Sequence, residues 1–260
     1  MRNEIVAALL KEMESVEHVV AFWEGGSMAM GHADQWSDLD LQIMVADGKV
    51  DETWPRIEAA LQRFAPIERR YEVPRPSWHG HWQAFYRLEG VSPYLLVDLV
   101  VMEESTQNRF LEPEIHGTPV VYLDRKGMFP EPPTDARTMA EKIKGRLPLL
   151  EEPAEMFHLF VDKEVLRDHP IDAYAFYWGM LLQRLVEALR IRYCPWRYNF
   201  GLRYLSRDLP KDVYAGVVSF FYVADYKELP ARRERVMGLL RETLAELKSL
   251  DFESHLNQHR

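Results

Sequence analysis

The sequence predicts an α+β protein in which a strand-rich half is followed by an all-helical half. Two observations carry that prediction. Six short apolar or alternating runs lie between residues 19 and 123, separated by turn residues, and beyond the Pro-rich segment 127–134 (GMFPEPPT) helical periodicity takes over. Strands gathered before helices pack as separate layers rather than as alternating βα units. The predicted organisation is an N-terminal domain, residues 1–130, with a mixed β-sheet and flanking helices, then a C-terminal helical bundle, residues 131–260.

The elements follow in order. Ile5, Leu9, Met13 and Val16 recur at helical spacing, so 3–16 is an amphipathic helix. Val19 to Trp23 is a buried strand running into a turn at Gly25-Gly26. Residues 39–45 (LDLQIMV) alternate and then turn apolar, a second strand; 51–64 put Trp54, Ile57, Leu61 and Phe64 on one helical face. Further strands are expected at 67–73, 81–88 and 93–102, with a short closing strand at 119–123. After the connector, Thr134 or Asp135 caps a helix. Helices then continue with breaks near 152–153, 168–170, 194–201 and 206–210, and 172–193 reads as a central bundle helix.

Composition narrows the functional classes. With 47% hydrophobic and 28% charged residues the chain has the make-up of a soluble globular protein. No run approaches the roughly 18 apolar residues of a membrane span, and the N-terminus lacks the pattern of a secretory signal, so a cytoplasmic location without membrane contact is expected. The single cysteine, Cys194, excludes an intrachain disulfide and a multi-Cys zinc site. A net charge of −9 argues against non-specific nucleic-acid binding. The charge is uneven: residues 1–124 carry 10 Lys and Arg against 21 Asp and Glu, a net −11, and the remainder 22 against 20, a net +2.

The informative segment is 25–41 (GGSMAMGHADQWSDLDL). Asp38 and Asp40 are two apart, which in a strand puts both carboxylates on one side while Leu39 and Leu41 face the other. Two like charges held together repel, and a divalent cation with oxygen ligands offsets that cost. Gly25 and Gly26 allow a sharp turn and close backbone approach. Their N–H groups and the Ser27 hydroxyl form a cradle for phosphate oxygens, and a helix starting near Ser27 adds its positive end. Asp98 interrupts the apolar run 95–101 (LLVDLVV), where an ionised carboxylate is costly unless paired or metal-bound. If its strand neighbours that of Asp38 and Asp40, the three converge.

Gly-Gly-Ser, a spacer, Asp-Leu-Asp-Leu at a strand start and a later Asp within an apolar strand resemble the polymerase β-type nucleotidyltransferase pattern. Among its members the chain is similar to the antibiotic nucleotidyltransferases acting on aminoglycosides and lincosamides, which also append a helical domain. The resemblance implies transfer of a nucleoside monophosphate, AMP from ATP, to a hydroxyl of a small molecule. It implies that Gly26, Ser27 and Ser37 bind nucleotide. Asp38 and Asp40 would ligate Mg²⁺, as two ions, and Asp98 would be a third ligand or the general base. In the helical half, Arg197 and Arg203 lie in an aromatic- and Arg-rich break and are further nucleotide-binding candidates, although the same break also reads as a packed corner. Arg184, Glu187 and Arg190 read either as an ion-paired stripe or as site residues. For His79 and His81 a structural role is favoured over a metal pair, and for Trp36 packing is favoured over stacking on a ligand. The competing functional readings are a non-catalytic nucleotide- or metal-binding regulator and an antitoxin-like enzyme that adenylylates a protein. Oligomeric state is open.

Overall fold

The computed structural model describes residues 1–75 and 77–260. The chain forms two compact units, Met1–Thr134 and Asp135–Arg260. The first is built on a six-stranded mixed sheet: β1 (Val19–Glu24), β2 (Leu39–Val45), β3 (Ile67–Glu72), β4 (Trp82–Leu88), β5 (Val97–Glu103) and β6 (Val120–Asp124). The strand order is β3-β4-β5-β2-β1-β6. Among the described residues only β2 and β5 pair in parallel; β1–β2, β1–β6, β3–β4 and β4–β5 are antiparallel.

Period-2 alternation sends Leu39, Leu41 and Ile43 of β2, and Val97, Leu99 and Val101 of β5, to one face. There they pack with Ile5, Leu9 and Met13 of helix α1 (Arg2–Glu14). Trp54, Ile57 and Leu61 of helix α3 (Val50–Phe64) complete that core. Val20, Trp23, Met44, Val100, Met102 and Leu111 form a smaller cluster on the other face, with Phe110, Met128 and Phe129 against it. At one end of that second face the residues are polar, and the candidate site lies there.

Between β1 and β2 the one-turn helix α2 spans only Gly26–Ala29. The expected helix near Ser27 therefore exists, but four residues align few peptide dipoles. β5 begins at Val97 rather than near 93, because Leu95 N–H turns back to the Ser92 carbonyl at 3.0 Å. A second one-turn helix, α4 (Pro113–His116), precedes β6.

The second unit is entirely helical: α5 (Ala136–Phe157), α6 (Phe160–Leu166), α7 (Pro170–Phe176), α8 (Gln183–Tyr193), α9 (Leu205–Asp208), α10 (Lys211–Phe221), α11 (Leu229–Lys248) and α12 (Phe252–Gln258), with short 3₁₀ turns between some of them. Asp135 caps α5 by accepting the N–H groups of Arg137 and Thr138. The break expected at 152–153 does not occur; α5 runs through both Pro148 and Pro153. Pro153 removes the hydrogen bond to the Leu149 carbonyl, and Leu149 is 55% exposed, on a face where water can serve that group. The segment 172–193 is helical throughout, with a π-helical turn at Tyr177–Leu182 joining α7 to α8. No helix among the described residues is long and apolar enough to cross a membrane.

Candidate active site

Asp40 and Asp98 are direct neighbours in the parallel β2–β5 ladder. Both are even members of strands whose odd members fill the helix-covered core, so both carboxylates emerge on the opposite face. Asp38 stands just before β2, and its Oδ1 accepts the Leu96 N–H at 3.2 Å. Asp40 senses its neighbours: burial and then the charges of Asp98, Asp38 and Glu24 push it up to about 7, against the opposing pull of Arg2. Burial also raises Asp98 to about 6, with a hydrogen bond from Gln83 pulling the other way and Asp38 adding to the rise.

The glycine turn is pressed against this cluster. Gly25 N–H donates to the Asp40 carbonyl at 2.9 Å. Gly26 has φ +53, and a Cβ there would lie 2.0 Å from Asp40 Oδ2. A Cβ on Gly25 would meet Gln42 Oε1 at 3.1 Å. Gly26 is therefore required by the protein's own Asp40 and not only by a ligand's approach, whereas at Gly25 the end of the Gln42 side chain would have to give by a few tenths of an ångström. Ser27 Oγ and Gln42 Oε1 are buried without a hydrogen-bond partner. Such atoms are costly unless a ligand or water engages them.

Four residues of this neighbourhood escaped the sequence reading. Arg2 donates to the carbonyls of Ser37 and Asp38, the latter at 2.8 Å, and pairs with Glu24 Oε1 at 2.7 Å. Glu24, only 2% exposed, takes the Tyr122 hydroxyl on its other oxygen at 2.5 Å. Gln42 shares the face of Asp40, and Gln83 donates to Asp98 Oδ1 at 2.7 Å. Glu24 left a trace in the sequence, an acid ending an apolar strand beside two glycines, and Gln42 lies in the period-2 series of Asp38 and Asp40. Arg2 and Gln83 left none, because tertiary contacts alone bring them here.

The other expected residues are placed as follows. The Ser37 hydroxyl is engaged in a local turn with Asp34, accepting its N–H at 2.9 Å and donating to its Oδ1 at 3.0 Å. Trp36 is exposed and meets Tyr94 edge-on at 5.1 Å. In the second unit, Arg197 is paired with Asp208, and the Arg203 guanidinium lies 5.1 Å over the Phe200 ring. That segment is a packed corner organised by Arg190. The Arg190 side chain is fully buried and binds Asp208 at 2.7 Å and the carbonyls of Gly201, Arg197 and Arg203. Glu187 is held by Arg146 through two hydrogen bonds of 2.6 and 2.9 Å.

The donor set suits Mg²⁺, which takes one or two carboxylates together with substrate phosphates and waters rather than a closed protein cage. Two half-buried carboxylates side by side, both pushed toward the neutral form, would be balanced by a bound divalent cation. The expected trio of Asp38, Asp40 and Asp98 is not a ready-made cage. No group of three or more His, Cys, Asp or Glu side chains among the described residues is arranged to hold a metal ion as it stands. Leu96 N–H engages Asp38 Oδ1 and Gln83 engages Asp98 Oδ1, one oxygen of each carboxylate.

No family model and no curated protein matches the chain. Among solved structures it is similar to an aminoglycoside 6-adenyltransferase from Bacillus subtilis, with 13% identity and a TM-score of 0.39 over 100% of this chain and 97% of that one. It is also similar to the spectinomycin adenyltransferase AAD(9) from Enterococcus faecialis, solved with ATP and spectinomycin, with 12% identity and a TM-score of 0.32 over 99% and 96% of the two chains.

Proposed function

We propose that the protein is a nucleotidyltransferase that moves AMP from ATP onto a hydroxyl of a small molecule of the aminoglycoside or lincosamide kind. The observation that carries the reading is the in-register pair Asp40–Asp98 with the Gly26 turn packed on Asp40. Buried, mutually repelling carboxylates beside a glycine turn and a partnerless serine hydroxyl form a site for a cation and an anionic ligand together.

Each residue then has a task. Asp38 and Asp40 hold Mg²⁺, and Asp98 stands beside them; the bound ion supplies neutralisation of the triphosphate. Ser27 donates its hydroxyl to a phosphate oxygen, which satisfies an atom that is otherwise orphaned. Asp98 takes the proton of the acceptor hydroxyl. In the protein by itself, burial raises its affinity for a proton. The acceptor oxygen forms a bond to the α-phosphorus, the bond from that phosphorus to the α,β-bridging oxygen breaks, and pyrophosphate leaves carrying that oxygen. A positioned base of this type contributes about 10²–10⁴-fold.

The test is incubation of the full chain with ATP labelled in the adenosine or α-phosphate, Mg²⁺ and a panel of aminoglycosides and lincosamides, with Asp40→Asn alongside. Label on an antibiotic with the wild type, and none with Asp40→Asn, is expected. Label found only on protein would move the acceptor class to a polypeptide. Equal labelling by Asp40→Asn would remove the carboxylates from the chemistry.

A further inference from the structure

We infer that Gln83, itself held by His79, is a positioning residue that commits one oxygen of Asp98 and reserves the other for the reaction. The inference rests on the nucleotidyltransferase reading and adds to it a chain of side chains that the sequence pattern does not contain.

β4 and β5 pair antiparallel with Phe85 opposite Asp98 and Gln83 opposite Val100. Gln83 is therefore the diagonal neighbour of Asp98 on the same face, within reach of a long side chain. Its Nε2 stands 2.7 Å from Asp98 Oδ1. An amide's two ends look alike in shape, so its orientation must come from its partners. Here a backbone group settles it. The His81 main-chain N–H points at His79 Nδ1 at 3.1 Å. Ser77 Oγ also stands near Nδ1, at the longer 3.3 Å, while its proton goes to the His81 carbonyl; a main-chain N–H can only donate, so the shorter contact makes Nδ1 the acceptor and puts the ring proton on Nε2. That Nε2 lies 3.1 Å from Gln83 Oε1 and donates to it. The amide's NH₂ end is then directed to Asp98.

The imidazole is braced from several sides. The edge-on Phe110 ring meets His79 at 5.7 Å and His81 at 5.3 Å, and Trp78 meets His79 at 5.0 Å. The Ser77 hydroxyl closes the turn by donating to the His81 carbonyl at 2.6 Å. A carboxylate with two free oxygens turns about its χ2; one pinned through a fixed amide does not. Asp98 Oδ2 is thus left as the oxygen that meets the acceptor or the ion, and its orientation depends on a donor whose own orientation is set by the fold.

The test uses the full chain and two readouts. Long-range ¹H–¹⁵N correlation of the histidine rings, with His79 assigned by its loss in His79→Gln, is expected to show the Nε2–H tautomer in the wild type. Pyrophosphate release with ATP, Mg²⁺ and the same aminoglycoside and lincosamide panel as acceptors is expected to lose about 10–100-fold in kcat for Gln83→Leu, with KM for Mg·ATP within about twofold. Should Gln83→Leu fold poorly, Gln83→Glu keeps the bond from His79 but offers Asp98 no donor, and it must show the same kcat loss. An Nδ1–H tautomer in the wild type, wild-type kcat in the variant that folds, or a loss confined to KM overturns the inference. Absence of turnover by the wild type would strike at the proposed function, while the ring-nitrogen spectrum still decides the chain.

Discussion

Gly26 and Asp40 occupy adjoining space: a side chain on the glycine would place its Cβ 2.0 Å from the aspartate's Oδ2. The first strand's exit turn and the second strand's carboxylate are consequently one unit. Moving either moves the other, and the register of β1 against β2, where Gly25 N–H bonds the Asp40 carbonyl, locks them together.

Gly26→Ala is expected to displace the Asp40 carboxylate and to lower Mg·ATP affinity and pyrophosphate release by an order of magnitude or more. Gly31→Ala is the control. Gly31 also has positive φ, +68, but nothing lies within 4 Å of its missing Cβ. It should cost only the backbone strain of about 1–2 kcal/mol and leave both measurements near wild type. Calorimetric titration with Mg·ATP checks the pair, and equal behaviour of the two variants would deny the contact its importance.

The raised Asp40 gives a signed pH dependence. Its ordinary value is 3.8 and its folded value about 7, so the folded state binds the proton more tightly than the unfolded chain. The resulting stabilisation is full below pH 4 and is lost as pH rises through about 7. Without divalent cation, Tm should therefore fall between pH 5 and pH 8 in the wild type. Asp40→Asn, which cannot ionise, should remove part of that fall, by about 2–4 °C if the effect amounts to about 1 kcal/mol. Mg·ATP should raise the wild-type Tm at pH 8 and have little effect on Asp40→Asn. Thermal scans across pH decide it; a wild-type Tm that rises over this window relative to Asp40→Asn would contradict the sign.

Arg2 ties the N-terminal helix to the site through Glu24 and two carbonyls of the Ser37–Asp38 segment. Arg2→Ala leaves Glu24 buried with only the Tyr122 hydroxyl, a loss of about 2–3 kcal/mol. Adding Glu24→Gln removes the stranded charge, so the double variant should regain much of the stability in urea unfolding. It should not regain turnover, because Asp38 still lacks its anchor. Full recovery of turnover in the double variant would show that Arg2 serves Glu24 alone.

Arg190 organises the corner at 194–208 from a fully buried position, with Asp208 as its counter-charge. Arg190→Met fills similar volume but abandons the Gly201, Arg197 and Arg203 carbonyls, and should cost about 3 kcal/mol. Hydrogen exchange should accelerate across 194–208 while remaining slow in β2 and β5. Unchanged exchange in the corner would mean that the carbonyls are held some other way.

The sequence by itself determined the order of the elements, because hydrophobic periodicity is a local property and survives without partners. It also marked Asp38, Asp40, Asp98 and the glycine turn, since a charge inside an apolar run and two adjacent glycines are visible one residue at a time. It misjudged Pro153, whose cost depends on whether the carbonyl it abandons meets water. Only the tertiary structure decided that β5 runs beside β2, which makes neighbours of Asp40 and Asp98 across 58 residues of chain. The same holds for the holders of those carboxylates. Arg2, Glu24 and Gln83 act through hydrogen bonds between segments far apart in sequence, and strand pairing for Glu24 and Gln83 and the packing of α1 on the sheet for Arg2, which no local pattern encodes, bring them together.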